Sequence, residues 1–568
     1  TSVGGITISN LVQTQGTGTL FLKTTDTDAD LILNANIQSE TGFVTIETAN
    51  DIIFNGTTNL TSTSGSVSLT ADADAGAGGA ITMNDGTFIN AGDGIVSLDA
   101  TDDIELSQIS TLNATDFAIR IETDASLIDS GDLLGEDLIA NESGALATII
   151  SVQGVGKLGD ANQHIETNVD QINIVNATAG EIQIFETDAL IVHDILQTTS
   201  GDIRILAGGD VTLTGFIESV SNDVLIDSQA AIIDQNDGLP DPLNIHASSL
   251  DLNAATGIGR GDTLEIEVNT FTADTNSGDT LLHNSAVASV TANRISTGSG
   301  DITFSSEGDI LLGTVTGPES IIAITSAGEI NDMVDDQGSP AIDIDAVGGS
   351  ITLQAENGIG NSDPVEISGG TLSVNTTTGN INLNNTSSTD TGDVSFTRLT
   401  TGNGTIDFQQ SGGRDTTFEE VSTTDSAITI IGDGSMLFEN SGVLTNVVST
   451  DGSGTIAITA TGINSSIQVN DGFSTSGGTI DLTAQNSLNF GAEGDISSSN
   501  GQITLLADSA SLGAGGGGIS MSDGTVFDAG TGILDLQAGD DINVGQLMTT
   551  TFTRLTSTDG GITDSGDT

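Results

Sequence analysis

The side chains with the most scope for chemistry are carboxylates. Asp and Glu together number 79 against 9 Lys and Arg, and 21 of the acids are Glu, which leaves 58 Asp (79 − 21). They alternate in three stretches: Asp26, Asp28 and Asp30 in TDTDAD, Asp72 and Asp74 in ADADAG, and Asp343 and Asp345 in IDIDA. Clustered carboxylates supply the hard oxygen ligands that suit calcium. Asp26, Asp28, Asp30, Asp72 and Asp74 are therefore the candidate metal ligands, and calcium is the one cofactor to expect. The EF-hand loop is not met, because its Gly and closing Glu are missing, and the GGxGxDxux repeat of calcium-binding β-rolls is absent. In IDIDA the alternation also fits the outer face of a strand.

Catalysis has weaker support. Cleaving a glycosidic bond takes one carboxyl as acid and a second as base or nucleophile. The nearest pairs are Asp102–Asp103, Asp335–Asp336 and Asp540–Asp541. Neighbours on a strand point opposite ways, the first and third pairs hold the same repeat position, and all three read as solvent-facing turn acids. The Gly-His-Gly and Arg-Ile-Lys segments of pectin hydrolases do not occur, and Trp and Tyr, which would stack on sugars, are absent. A lyase base is not indicated at Lys23 or Lys157, the only lysines. His164, His193, His246 and His283 lie in unlike contexts without HExxH or a Cys partner, and read as exposed loop residues. The expectation is a protein that is not an enzyme, with a polysaccharide-active lyase or hydrolase as the alternative. Arg260, Gly261 and Asp262 in GRGDT form the tripeptide that integrins recognise and are the candidate receptor-binding residues, although the matching place at 361–363 reads NSD.

These residues sit in a monotonous local pattern: Gly, a polar residue, apolar-x-apolar, then Ala or Gly and a polar turn. GGITISN (4–10), GDIRILA (201–207), GSITLQA (349–355) and GQITLLA (501–507) are examples. The alternation places both apolar side chains on one face of a strand of three to five residues. Gly, Asp and Asn supply the turns. Turn signals recur too often to leave room for helices of about 10 residues or more.

Two longer periods organise the chain. Residues 64–111 match residues 500–549: Val67 and Leu69 correspond to Ile503 and Leu505, and Met83, Asp85 and Gly86 to Met521, Asp523 and Gly524. Ile8, Asn10 and Val12 correspond to Leu444, Asn446 and Val448, an offset of 436 (444 − 8). Residues 1–436 thus form one long unit, and 437–568, matching 1–133, begin the next. Inside the unit, 250–284 matches 351–385 at an offset of 101 (358 − 257), with a looser copy from 154, which gives modules near 154–256, 257–357 and 358–460. Long internal repeats mean a stacked array.

Two folds compete. Tandem immunoglobulin-like sandwiches would explain the 100-residue modules, but they carry longer strands and core aromatics. A right-handed parallel β-helix explains short strands, frequent Gly and an aliphatic core, and is the expected fold; at about 22–28 residues per coil the chain would hold roughly 20–25 coils. The GDITL-A, GGxIxL and A-x-GIG patterns resemble the repeats of filamentous-haemagglutinin-like secreted bacterial adhesins and related β-solenoid surface proteins. That resemblance covers nearly the whole chain and implies an extracellular, elongated, adhesive or structural role.

Net charge is −70, and it is spread along the sequence rather than gathered in a tail. Such a surface repels nucleic acid and anionic lipid. No apolar run reaches the length of a membrane span. Cys is absent, which removes disulfides and thiol chemistry. Thr1 begins inside the repeat, so the chain is expected to be a processed or truncated piece. The expected role is a structural, adhesive, acidic rod at the cell surface, with other copies of itself as partners and cell-surface glycans or receptors as further candidates. A calcium-dependent stalk carrying a separate adhesive tip is the other alternative.

Overall fold

Apolar-x-apolar triplets become short strands, and in Leu31–Leu33, Ile81–Met83 and Val211–Leu213 the outer two side chains are buried while the middle one is not. The structure, a computed structural model, describes all residues except 75, 77, 132–134, 157–163, 237–241, 334–340, 387–391, 441, 443–445, 510–515 and 567–568. Lys157 and the Asp335–Asp336 pair lie outside the described residues. Among the described residues the structure is all-β, without a helix. Strands pair in parallel, each with the strand one coil before and one coil after. Antiparallel sandwiches are thereby excluded. The fold is the right-handed parallel β-helix, the hand that parallel crossover connections take.

The chain divides into two compact units, Thr1–His283 and Asn284–Thr568. In the first, one apolar column runs through Ile6, Leu31, Ile52, Ile81, Ile104 and Leu127, each directly in register with the next. In the second, a column runs through Ile322, Ile351, Leu372, Phe396, Phe418 and Phe438. Burying one such side chain contributes about 1.5–3 kcal/mol.

Two expectations need correction. Coil length is more variable than 22–28 residues: Ile302 pairs with Ile322, 20 residues on, and Leu488 with Ile519, 31 on. Strands also exceed five residues. Ile217–Ser228, Ile344–Ala355 and Val365–Thr376 each have 12. Ile217–Ser228 and Ile344–Ala355 carry a register shift, at Ser219/Asp223 and Ala346/Ser350, where the strand turns a corner without leaving the ladder.

The corners explain the composition. An Asp just before a strand accepts the N–H of the residue stacked above it in the next coil. Asp51 Oδ1 takes the Ala80 N–H at 2.9 Å, Asp103 that of Ser126 at 3.0 Å and Asp210 that of Ala231 at 2.9 Å. In the second unit Asp309 takes Glu329 at 2.9 Å, Asp415 takes Ser435 at 2.7 Å and Asp541 takes Gly561 at 2.7 Å. The short Asp side chain bonds to backbone close by, which accounts for the excess of Asp over Glu. Much of the negative charge is therefore structural. At one edge glycines stack: a Cβ on Gly42 would lie 2.0 Å from the Gly18 carbonyl oxygen, and one on Gly65 2.0 Å from that of Gly42. Buried hydroxyls tie this edge, Ser39 Oγ donating to Gly42 O at 2.7 Å. The repeat-related edge is rebuilt at Gly454, Gly478 and Gly501, where Ser498 Oγ donates to Gly501 O at 2.7 Å.

Candidate metal centres

The fold assembles two groups of three carboxylates, Asp129–Asp137–Glu166 in the first unit and Asp332–Asp343–Glu366 in the second. In each group one oxygen per residue lies within 4.8 Å of the others. The local construction is the same. The first aspartate ends a strand, Leu127–Asp129 or Glu329–Asp332. The second immediately precedes a strand, Leu138–Ala140 or Ile344–Ala355, and is itself buried. The glutamate stands one coil further on. Asp137 N donates to Glu166 O at 2.8 Å, and Glu166 N donates back to Asp137 Oδ2 at 3.1 Å. In the second unit Asp343 N donates to Glu366 O at 2.9 Å and Glu366 N to Asp343 Oδ2 at 2.9 Å.

These acids are deeply placed. Asp137 has no exposure, Asp129 is 4% exposed, and Asp332, Asp343 and Glu366 are 9%, 4% and 4% exposed. Like charges directly opposite on neighbouring strands repel, and loss of water disfavours the ionised form. Burial, reinforced by the neighbouring carboxylates, drives the Asp137 and Asp343 carboxyls well above the ordinary range. Glu166 is also raised, first by burial, although His164 Nε2 lies 2.7 Å from its Oε1 and opposes the shift. In the second unit Asn384 Nδ2 donates to Glu366 Oε1 at 2.9 Å. A site of this kind favours a bound cation or a shared proton over three free charges.

No protein-family model matches the chain, and no curated protein or solved structure matches it either. The geometry therefore carries the functional reading by itself.

The aspartates singled out by sequence lie elsewhere. Asp26 and Asp28 are exposed in a turn, and Asp30 Oδ1 accepts the Asn50 side-chain N–H at 2.7 Å. Asp72 is buried at positive φ, as is Asp508 in the repeat-related position, and Thr101 Oγ1 donates to Asp72 Oδ2 at 3.0 Å. Its place is that of a turn residue tied to the next coil. Asp74 is exposed. Asp343 of IDIDA does enter a cluster, with Asp332 and Glu366 rather than with Asp345. Arg260 and Gly261 are exposed on a surface bend beside a pocket of about 450 Å³, and Asp262 Oδ1 accepts its neighbour Thr263 N–H at 2.8 Å. Asp102, Asp103, Asp540 and Asp541 are exposed, as expected of turn acids. The histidines depart from expectation: His193, His246 and His283 lie on strands, half-buried, where their neighbours in the alternation face the core.

Asp129, Asp137, Glu166, Asp332 and Glu366 were not picked out from sequence. Aligning the modules one coil earlier would have found the aspartates: LIDSGDLLGEDLIA (127–140), IIDQNDGLPDPLNIHA (232–247) and INDMVDDQGSPAIDIDA (330–346) share a strand-ending Asp and a second Asp or Asn before the next strand.

A further buried acid, Glu186, is 1% exposed and ends the strand Ile182–Glu186. Thr167 Oγ1 and Val169 N donate to its Oε2 at 2.8 and 3.2 Å. Burial outweighs these donors and pushes its carboxyl up to about 7. A carboxyl raised in the folded state makes stability greatest below the unfolded value, near 4.5, and lowers it as pH rises through about 7. Urea midpoints measured without divalent ions should fall between pH 5 and 8, with Glu186 contributing about 3 kcal/mol of the change. Glu186→Gln should flatten that slope; a slope identical to the parent's would refute the assignment.

Proposed function

We propose that this chain is a structural, adhesive segment of a large extracellular surface protein, assembled from tandem long units into a filament, sheath or surface layer. The observation that carries this reading is that the second copy of the 436-residue unit rebuilds the coils of the first. The glycine edge at Gly18, Gly42 and Gly65 recurs at Gly454, Gly478 and Gly501, and the buried hydroxyls of Ser39 and Ser62 recur at Thr475 and Ser498. An array needs each unit to reproduce the surface on which the next can stack. The acidic surface, 79 acids against 9 bases, keeps such an array soluble and hands lateral association to salt and divalent ions.

Electron microscopy of native material tests this. Uniform fibres or layers with an axial repeat matching one 436-residue unit are expected, loosened by a calcium chelator. Discrete short particles would overturn the reading, and cleavage of acidic polysaccharides would then replace it with the enzymatic alternative.

A further inference from the structure

We infer that the two carboxylate triads are calcium sites that staple consecutive coils, and that the module between them is an ion-free counterpart of the same site. This goes beyond the structural role, since an array can form without the ions and the ions can bind without an array.

Three observations converge. First, the ligand span is right for the ion. One oxygen from each acid lies within 4.8 Å of the others, close enough for a single calcium ion, which binds oxygens at about 2.4 Å, to touch all three. Second, with its acids ionised, the first triad holds buried oxygens without a donor. Asp137 Oδ1, on a side chain with no exposure, and Glu166 Oε2 have no hydrogen-bond partner. Buried polar atoms in folded proteins are almost always paired. Asp137 Oδ2 already accepts the Glu166 N–H, which leaves Oδ1 as the oxygen without a donor.

Third, the repeat supplies its own control. Asp234, Asn244 and Glu265 stand where Asp129, Asp137 and Glu166 stand about 100 residues earlier, and the backbone pairing is the same. Asn244 N donates to Glu265 O at 3.0 Å, and Glu265 N donates to Asn244 Oδ1 at 2.8 Å. Here the second acid is an amide, and its Nδ2 donates to Asp234 Oδ1 at 2.8 Å. An N–H thus fills the place where, in the flanking modules, a third carboxylate faces two others. Replacing one acid by an amide removes one negative charge from the middle site and supplies one donor to Asp234. Restoring the acid leaves an excess of negative oxygens that a divalent cation neutralises.

The ligands come from two coils. In the first unit Asp129 ends one strand, Asp137 precedes the next, and Glu166 lies on the following coil; the second unit repeats this with Asp332, Asp343 and Glu366. A bound ion would tie the two aspartates of one coil to the glutamate of the next and oppose separation of the coils.

The test uses the full chain, stripped with chelator and re-equilibrated with calcium in 0.5 M NaCl, where ions held only by exposed acids are screened. Bound calcium is then counted by equilibrium dialysis with metal analysis. Two retained ions per chain are expected, one in Asp137→Asn, one in Asp343→Asn and none in the double variant. Asn244→Asp should raise the count to three, a gain that no damage to folding can mimic. Calcium should also raise the thermal midpoint of the parent and not that of the double variant. Counts unchanged across the variants would place the ions on the exposed surface and overturn the proposal. No retention, with thermal midpoints indifferent to calcium, would instead assign the triads to shared protons.

Discussion

Phe418→Ala is expected to lower unfolding free energy by about 3–5 kcal/mol. Phe418 is fully buried, with Phe396 stacked at 5.2 Å between ring centroids and Phe438 at 5.0 Å, interplanar angles 12° and 9°. Phe408 meets Phe418 edge-on at 5.9 Å and Phe396 at 4.6 Å. The three stacked rings come from consecutive coils in one register, so the column cannot collapse into a void without shifting a ladder. The cavity term should therefore be near its full value. Urea unfolding of the second unit measures it, with amide exchange showing whether protection is lost first at the strands Val394–Thr401 and Met436–Phe438. A loss below about 1 kcal/mol would mean that neighbouring coils close the gap.

Gly478→Ala should be at least as damaging, by about 3 kcal/mol or more. Its Cβ would stand 1.9 Å from the Gly454 carbonyl oxygen and 2.6 Å from its carbon. Both atoms belong to the Gly454 backbone just before the strand Ile456–Ala460, and Thr475 Oγ1 donates to that same Gly454 oxygen at 3.0 Å. Relief requires parting two coils. Gly370→Ala is the control, because the nearest atom to its Cβ would be the Gly349 oxygen at 3.6 Å, an ordinary contact. Thermal midpoints of the two variants should differ clearly. Equal midpoints would show that the edge yields, and that the glycine column is not the constraint on coil spacing.

The two substitutions probe opposite sides of one design problem. Coils in parallel ladders sit about 4.8 Å apart. At that spacing, inward side chains touch their counterparts above and below, while at a tight edge the backbones leave no room for a side chain at all. Apolar columns and glycine columns are the two answers, and the corner aspartates satisfy the N–H groups left between them.

The all-β class and the parallel helix were legible in the sequence because their cause is local. Apolar-x-apolar triplets such as Ile503–Thr504–Leu505 fix which face of a strand is buried, and Gly or Asp on either side fixes where it turns. The 436-residue period was legible for the same reason, since like triplets build like coils. What sequence did not determine is which residues stand one above another. The offset between stacked residues runs from 18, Val365 to Leu383, to 31, Leu488 to Ile519, so a side chain's stacking partner cannot be counted from its number. Asp343 alternates with Asp345 in the sequence, yet its partners are Asp332, 11 residues before it (343 − 332), and Glu366, a coil away. Asp137 and Glu166 are 29 residues apart (166 − 137) and meet only because a turn of that particular length brings their strands into register. The carboxylate triads belong to the tertiary structure: local alternation decides that a residue faces in or out, and only the closing of each coil decides what it faces.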